Sequence, residues 1–188
     1  MRPHLYAIDG IFPQAEFDML QEYAHVLQYG DIKAPFDGVT YHNVAPAPPF
    51  VVEHLTHVLT LLMGYRVVPL HTCFRLSVEG SEPPQWAHSD AEVAKFGFFM
   101  FINPGRGGTA LLEHKESGMR THPQSQYELD LWNRDHNDES AWNVVSLIDS
   151  QVNRGILLRS DLIHAALPRR GYGESAVDGR LILLCFFD

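Results

Sequence analysis

A mostly β domain with helices at its N-terminal end is the fold this sequence predicts, and three observations predict it. From Tyr65 onward the chain breaks into short apolar or alternating runs punctuated by glycine and proline, which is the pattern of strands. Before Tyr65, two stretches repeat apolar residues at spacings of three and four, which is the pattern of amphipathic helices. The 188 residues are 45% hydrophobic and 20% charged, enough for one substantial core, and no change in composition marks a second domain. The expected organisation is a single domain over 1–188, with helical support over 1–64 and a β core over 65–188.

Taken in order, Phe17, Leu20, Tyr23, Ala24 and Leu27 form the apolar face of a first helix, with Pro13 near its start and Gly30 beyond its end. A loop is expected from Asp31 to Pro49, marked by Pro35, Asp37-Gly38 and the run Pro46-Ala47-Pro48-Pro49. Phe50 to Met63 repeats the helical pattern through Val51, Leu55, Val58, Leu59 and Leu62, and Gly64 supplies a stop. Strands are expected at Val67–Val78, Trp86–Asp90, Gly97–Ile102, Thr109–Glu113, Gly155–Arg159, Leu162–Leu167 and Arg180–Phe187, as an antiparallel sandwich or barrel. Asn103 to Gly108 reads as a tight turn, so Phe98–Ile102 and Thr109–Glu113 are expected to pair as a hairpin. Between 114 and 150 the chain is polar, with a short helix over Gln126–Arg134, and this excursion from the sheet is a candidate lid.

Composition narrows the function. The formal net charge is −9, and the basic residues are scattered, with Arg169-Arg170 their only adjacent pair; a nucleic-acid backbone would require a basic stripe that is not there. Cys73 and Cys185 both lie in apolar runs, as buried reduced thiols do, which predicts a reducing, cytoplasmic setting. Met1 to Asp9 lacks the charged and apolar regions of an export signal, and no apolar stretch approaches the roughly 20 residues that span a bilayer.

The chemistry centres on Trp86-Ala87-His88-Ser89-Asp90. On a strand, His88 and Asp90 project from one face, and a first-row metal takes ligands converging from one side. A third ligand is expected from His164, on the strand that follows the turn Ser160-Asp161. Two histidines and one carboxylate form the facial triad of non-haem Fe(II) oxygenases, with positions left open for co-substrate and O2. His71, His114 and His122 are alternative ligands without a paired carboxylate on their own strands. Arg180 opens an otherwise apolar strand, where a guanidinium is costly to bury without a counter-ion; the distal carboxylate of a 2-oxo acid would be one. The bland alternatives are a capping Asp90, a satisfied core His164, and an Arg180 that pairs with Asp178.

Taken together, His88-Ser-Asp90, the run Phe98-Phe-Met-Phe-Ile-Asn103 with Gly107-Gly108-Thr109, and Gly155 to His164 followed by Arg180 resemble the Fe(II)- and 2-oxoglutarate-dependent dioxygenases, particularly their prolyl-hydroxylase-like branch. The resemblance runs from about His71 to the C-terminus. It implies a double-stranded β-helix, or jelly roll, with His88, Asp90 and His164 as catalytic iron ligands and Arg180 on the 2-oxoglutarate carboxylate. It further implies Fe(II) and 2-oxoglutarate as cofactors, and hydroxylation with release of succinate and CO2. Arg169, in the loop after Pro168, is a rival for the carboxylate. The hydroxyl usual on the strand before His-x-Asp is missing, which leaves Thr72, Arg75 or Ser77 to support the co-substrate. The expected partners are O2 and a small molecule, amino acid or peptide, with Trp86, Trp132 and Trp142 as candidate pocket walls. The rival functions are a cupin-like metal enzyme without 2-oxoglutarate, a zinc hydrolase, and a non-catalytic jelly-roll binding module.

Overall fold

The computed structural model of the chain describes residues 5–33, 40–81, 83 and 85–188. Its framework is two antiparallel sheets face to face. Strands β1 (Leu5–Asp9), β2 (Gly30–Lys33), β3 (Thr40–Pro46), β4 (Pro69–Ser77), β5 (Phe96–Phe101), β8 (Arg154–Arg159) and β10 (Arg180–Phe187) form the major sheet, in the order β1-β8-β5-β10-β4-β3-β2. Strands β6 (Gly108–His114), β7 (Trp142–Asp149) and β9 (His164–Leu167) form a minor sheet, in the order β7-β6-β9. This is the jelly-roll arrangement expected.

Helices α1 (Gln14–His25) and α2 (Pro49–Met63) cover the outer face of the major sheet, where Phe17, Leu20, Val51, Leu55 and Leu59 pack on alternate residues of the central strands, Leu181, Leu183, Cys185 and Phe187 among them. Pro49 occupies the first turn of α2, and Gly64 closes the helix at φ 71°, a left-handed conformation that a side chain would strain. The inner face carries the other set, including Val44, Cys73, Phe99, Phe101, Ile182 and Leu184. Every residue of β10 is buried, because this strand is central and covered on both faces.

Several expectations need correction. The segment 31–49, expected as loop, contains β2 and β3, so the N-terminal support is not only helical; Pro35 and Asp37-Gly38 lie outside the described residues. Phe98–Ile102 and Thr109–Glu113 do not form a hairpin: β5 pairs with β8 and β10, whereas β6 pairs with β7 and β9. The connection crosses between sheets at Gly107-Gly108, where a Cβ would strike the Leu167 and Ile148 carbonyls, so only glycine lets the chain pass between strands. The strand opened by Arg180, for which the sequence suggests the His164 strand as a hairpin neighbour, instead lies between β4 and β5. Trp86–Asp90 is not a strand; only His88 forms an isolated bridge, to His164.

The polar excursion is shorter than expected. A helix, α3 (Gln126–Asp135), is present, but the segment then returns to the sheet as β7. Trp132 of α3 and Trp142 of β7 stack edge-on, 6.0 Å apart, in a cluster with Ala110, Leu112 and Ala165. That cluster lies on the outer face of the minor sheet, so the excursion covers this sheet's back. Buried His114 is anchored there: its Nε2 lies 2.9 Å from Asp135 Oδ2 and its Nδ1 3.1 Å from Ser117 Oγ.

Cutting a side chain at the centre of β10 should therefore be costly. Leu183→Ala is expected to lower stability by about 2–5 kcal/mol in urea denaturation, whereas Val145→Ala on the exposed β7 edge should stay within about 0.5 kcal/mol of the parent.

Candidate metal centre

His164 begins β9 and faces the inner side of the minor sheet, with its ring centroid 5.7 Å from that of Phe99. The irregular segment carrying His88 is held against it by two reciprocal backbone hydrogen bonds: His88 N–H donates to the His164 carbonyl at 3.0 Å and His164 N–H to the His88 carbonyl at 2.8 Å. Asp90 N–H donates to the Ser160 carbonyl at 2.7 Å, and the Asp90 carbonyl accepts from Val93 and Ala94, so the chain turns away immediately after the carboxylate. From outside, Trp86 N–H donates to Asn137 Oδ1 at 2.9 Å and Ala87 N–H to the His136 carbonyl at 2.9 Å. No local pattern around Asn137 or Ser160 announces these roles.

The structure brings His88, Asp90 and His164 together. One donor atom from each lies within 4.8 Å of the others, and no second such cluster exists among the described residues. His71, His114 and His122 do not join it; His122 Nδ1 instead lies 2.9 Å from Ser89 Oγ, between the two candidate ligands. The Nδ1 atoms of His88 and His164 lie 3.1 and 2.9 Å from the Trp86 and Leu162 carbonyl oxygens. A carbonyl only accepts, so each Nδ1 carries a hydrogen and each Nε2 is the atom turned to the centre. His164 Nε2 lies 3.4 Å from Asp90 Oδ2.

Electrostatics follow from that packing. Burial first, and the His164 charge second, lower the His88 pKa to about 4, which keeps this imidazole neutral. Burial also opposes charge on Asp90 and His164, yet their mutual hydrogen bond and attraction prevail, lowering the carboxyl and raising the imidazole from their ordinary values.

A pocket of about 390 Å³ joins His88 to Arg180, with Arg75, Ser77, Trp86 and Arg169 also in its walls. Arg180 is 6% exposed, and its Nε has no hydrogen-bond partner. No carboxylate among the described residues pairs with it; Asp178 is occupied by the Glu174 and Ser175 backbone amides. Burial first, and nearby Arg75 second, lower the Arg180 pKa to about 10. Its guanidinium carbon lies 5.9 Å from the Phe101 ring centroid. Arg169 instead reaches back to the Asn137 carbonyl at 3.0 Å and Glu139 at 3.4 Å. Of the three tryptophans only Trp86 lines this pocket. A wider, shallower cleft of about 910 Å³ beyond Pro168 and Gly171 contains none of the trio.

Two facing sheets, with a three-residue cluster on the inner side of the smaller one and a buried arginine across from it, define a double-stranded β-helix fold. Solved structures agree on the fold. SnoN, a non-heme α-ketoglutarate-dependent epimerase from nogalamycin biosynthesis, superimposes with a TM-score of 0.60 at 12% identity, over 99% of this chain and 76% of SnoN. HygX from Streptomyces hygroscopicus, solved with iron bound, gives 0.59 at 13% identity over 98% and 81%. The collagen prolyl hydroxylase of Paramecium bursaria Chlorella virus 1 gives 0.55 at 10% identity over 98% and 89%. The sequence matches no family model and no curated protein.

The backbone carbonyls make one outcome checkable without metal. Long-range nitrogen–proton NMR at neutral pH is expected to show His88 as the Nδ1–H tautomer; an Nε2–H tautomer would contradict the geometry.

Proposed function

We propose that the protein is a non-haem Fe(II)- and 2-oxoglutarate-dependent oxygenase that hydroxylates a small molecule, an amino acid or a protein side chain, releasing succinate and CO2. One observation carries the reading. A three-donor cluster with both Nε2 atoms turned inward opens through His88 onto a pocket whose far wall is a buried arginine with no counter-ion among the described residues. The donor set suits a first-row divalent metal: two imidazoles and one carboxylate leave other coordination positions free. The arginine suits a carboxylate, which would supply the missing charge and accept from its planar donors. A cupin-like enzyme or a zinc hydrolase would account for the cluster but not for Arg180, and a binding module would account for neither.

In this reading His88, Asp90 and His164 hold the metal on one side, and Arg180 receives the distal carboxylate of 2-oxoglutarate. Bound there, the metal and co-substrate together supply oxidative decarboxylation and oxygen transfer to a C–H bond. The chain's own residues do the positioning. The Trp86 and Leu162 carbonyls hold the imidazoles in the ligating tautomer, Asp90 contributes charge and occupies the position a halide would need, and Phe99 keeps one side of the centre apolar. Arg180 is preferred over Arg169 because Arg169 already has oxygen partners. The neighbouring structures include one solved with nogalamycin RO and one collagen prolyl hydroxylase, so both small molecules and protein side chains remain in the substrate class.

Anaerobic addition of Fe(II) and then 2-oxoglutarate should produce a weak visible band near ~500 nm, as expected for an oxo acid chelated at such a centre. Asp90→Ala should abolish both the iron and the band. Arg180→Met should retain iron but require at least ~10-fold more 2-oxoglutarate, the loss of a charge-assisted pair. A protein that retains no iron and gives no band would sink the proposal in favour of a binding module.

A further inference from the structure

Arg75 is a second cation in the pocket that nothing so far uses. It lies on β4 opposite Ile182 of β10 and Val44 of β3, and directly opposed residues in antiparallel strands share a face. Ile182 is two residues from Arg180, so Arg75 and Arg180 are diagonal neighbours on the inner face. The register gives three levels: Arg180 with Ser77, then Ile182 with Arg75, then Leu184 with Cys73 and Phe99. Phe99 lies beside His164, the two rings tilted to each other, so Arg75 stands midway along the roughly 13 Å of strand between Arg180 and the candidate metal centre. Like Arg180, Arg75 lines the pocket, and no hydrogen bond or ion pair to it is found among the described residues.

Two guanidiniums side by side without an anion are an unfavourable arrangement in the absence of a ligand. The carboxylate in the pocket lining among the described residues, Asp31, is exposed and paired with His42 at 3.0 Å. Of the three candidates on β4 for supporting a co-substrate, Thr72 is excluded because its hydroxyl reaches Cys185 Sγ, at 3.4 Å, on the outer face. Ser77 and Arg75 remain, and only Arg75 brings charge.

We propose that Arg75 and Arg180 together bind the distal carboxylate of 2-oxoglutarate, so that a two-arginine clamp takes the place of the usual arginine and hydroxyl. The proposal rests on the oxygenase reading above. Its function would be to hold the dianion strongly enough that the co-substrate is bound before the substrate enters, and to disfavour oxo acids without a second carboxylate.

The test is calorimetric titration of the nickel-loaded protein with 2-oxoglutarate and, separately, with 2-oxobutyrate, which lacks the distal carboxylate. Arg75→Gln is expected to weaken 2-oxoglutarate binding at least ~10-fold and leave 2-oxobutyrate unchanged, with Arg75→Lys in between because it retains charge but not the planar fork. Unaltered nickel affinity and melting temperature in each variant would exclude misfolding. Arg75→Gln and Arg180→Met should be non-additive when combined, since they act on one group. Wild-type 2-oxoglutarate affinity in Arg75→Gln would overturn the clamp, as would equal losses for the two oxo acids or a loss found only in Ser77→Ala. Wild-type protein that binds nickel but no 2-oxoglutarate would overturn the oxygenase reading itself.

Discussion

The site depends on the pair of backbone hydrogen bonds between His88 and His164. They join an irregular segment to the first residue of β9, and by doing so bring two imidazoles 76 positions apart to a ring-centroid separation of 4.4 Å. Nothing else ties 86–90 into a sheet. A side chain on a free loop would lose its position, with the rotamer entropy that implies, whereas one pinned by its own amide and carbonyl is pre-organised. Asp90 gains the same benefit from the Ser160 carbonyl one turn away.

The second constraint is the burial of charge. The major sheet is apolar on both faces along β10, and at its start that strand carries a guanidinium into the same environment. Most folds avoid such a placement, because desolvation is rarely repaid without a partner. Here the cost falls on a wall of the pocket that His88 also lines, so the unbalanced charge lies along the same space as one donor of the candidate centre. Stability is supplied from the other side, where α1 and α2 seal the outer face. The outer layer provides the packing, and the inner layer is left free to carry polar and charged groups.

The candidate site residues stand out in the sequence because their signals are local. His88 and Asp90 are two residues apart, Arg180 interrupts an apolar run at its first position, and His164 follows a turn. Element boundaries were legible for the same reason, since the helix stop at Gly64 and the apolar run within Gly155–Arg159 are local features. Pairing was not. The Phe98–Glu113 segment has the composition of a hairpin, yet its strands separate into different sheets, because β5 is buried on both faces and needs neighbours on both edges. The strands in 31–49 escaped notice because β2, the edge strand, and β3 beside it are short and exposed along much of their length, in a proline-rich region.

By itself the sequence determined which residue types could do the chemistry and the order in which they occur along a largely β chain. The tertiary structure decided which of them meet. It separated His114 and His122 from the centre by giving each another partner, gave Arg169 to the Asn137 carbonyl, turned Thr72 to the outer face, and set Arg75 beside Arg180. The physical reason is that side-chain type and local periodicity are properties of neighbouring residues. Convergence at a site is set by strand register and sheet order, which depend on contacts between residues far apart in the chain.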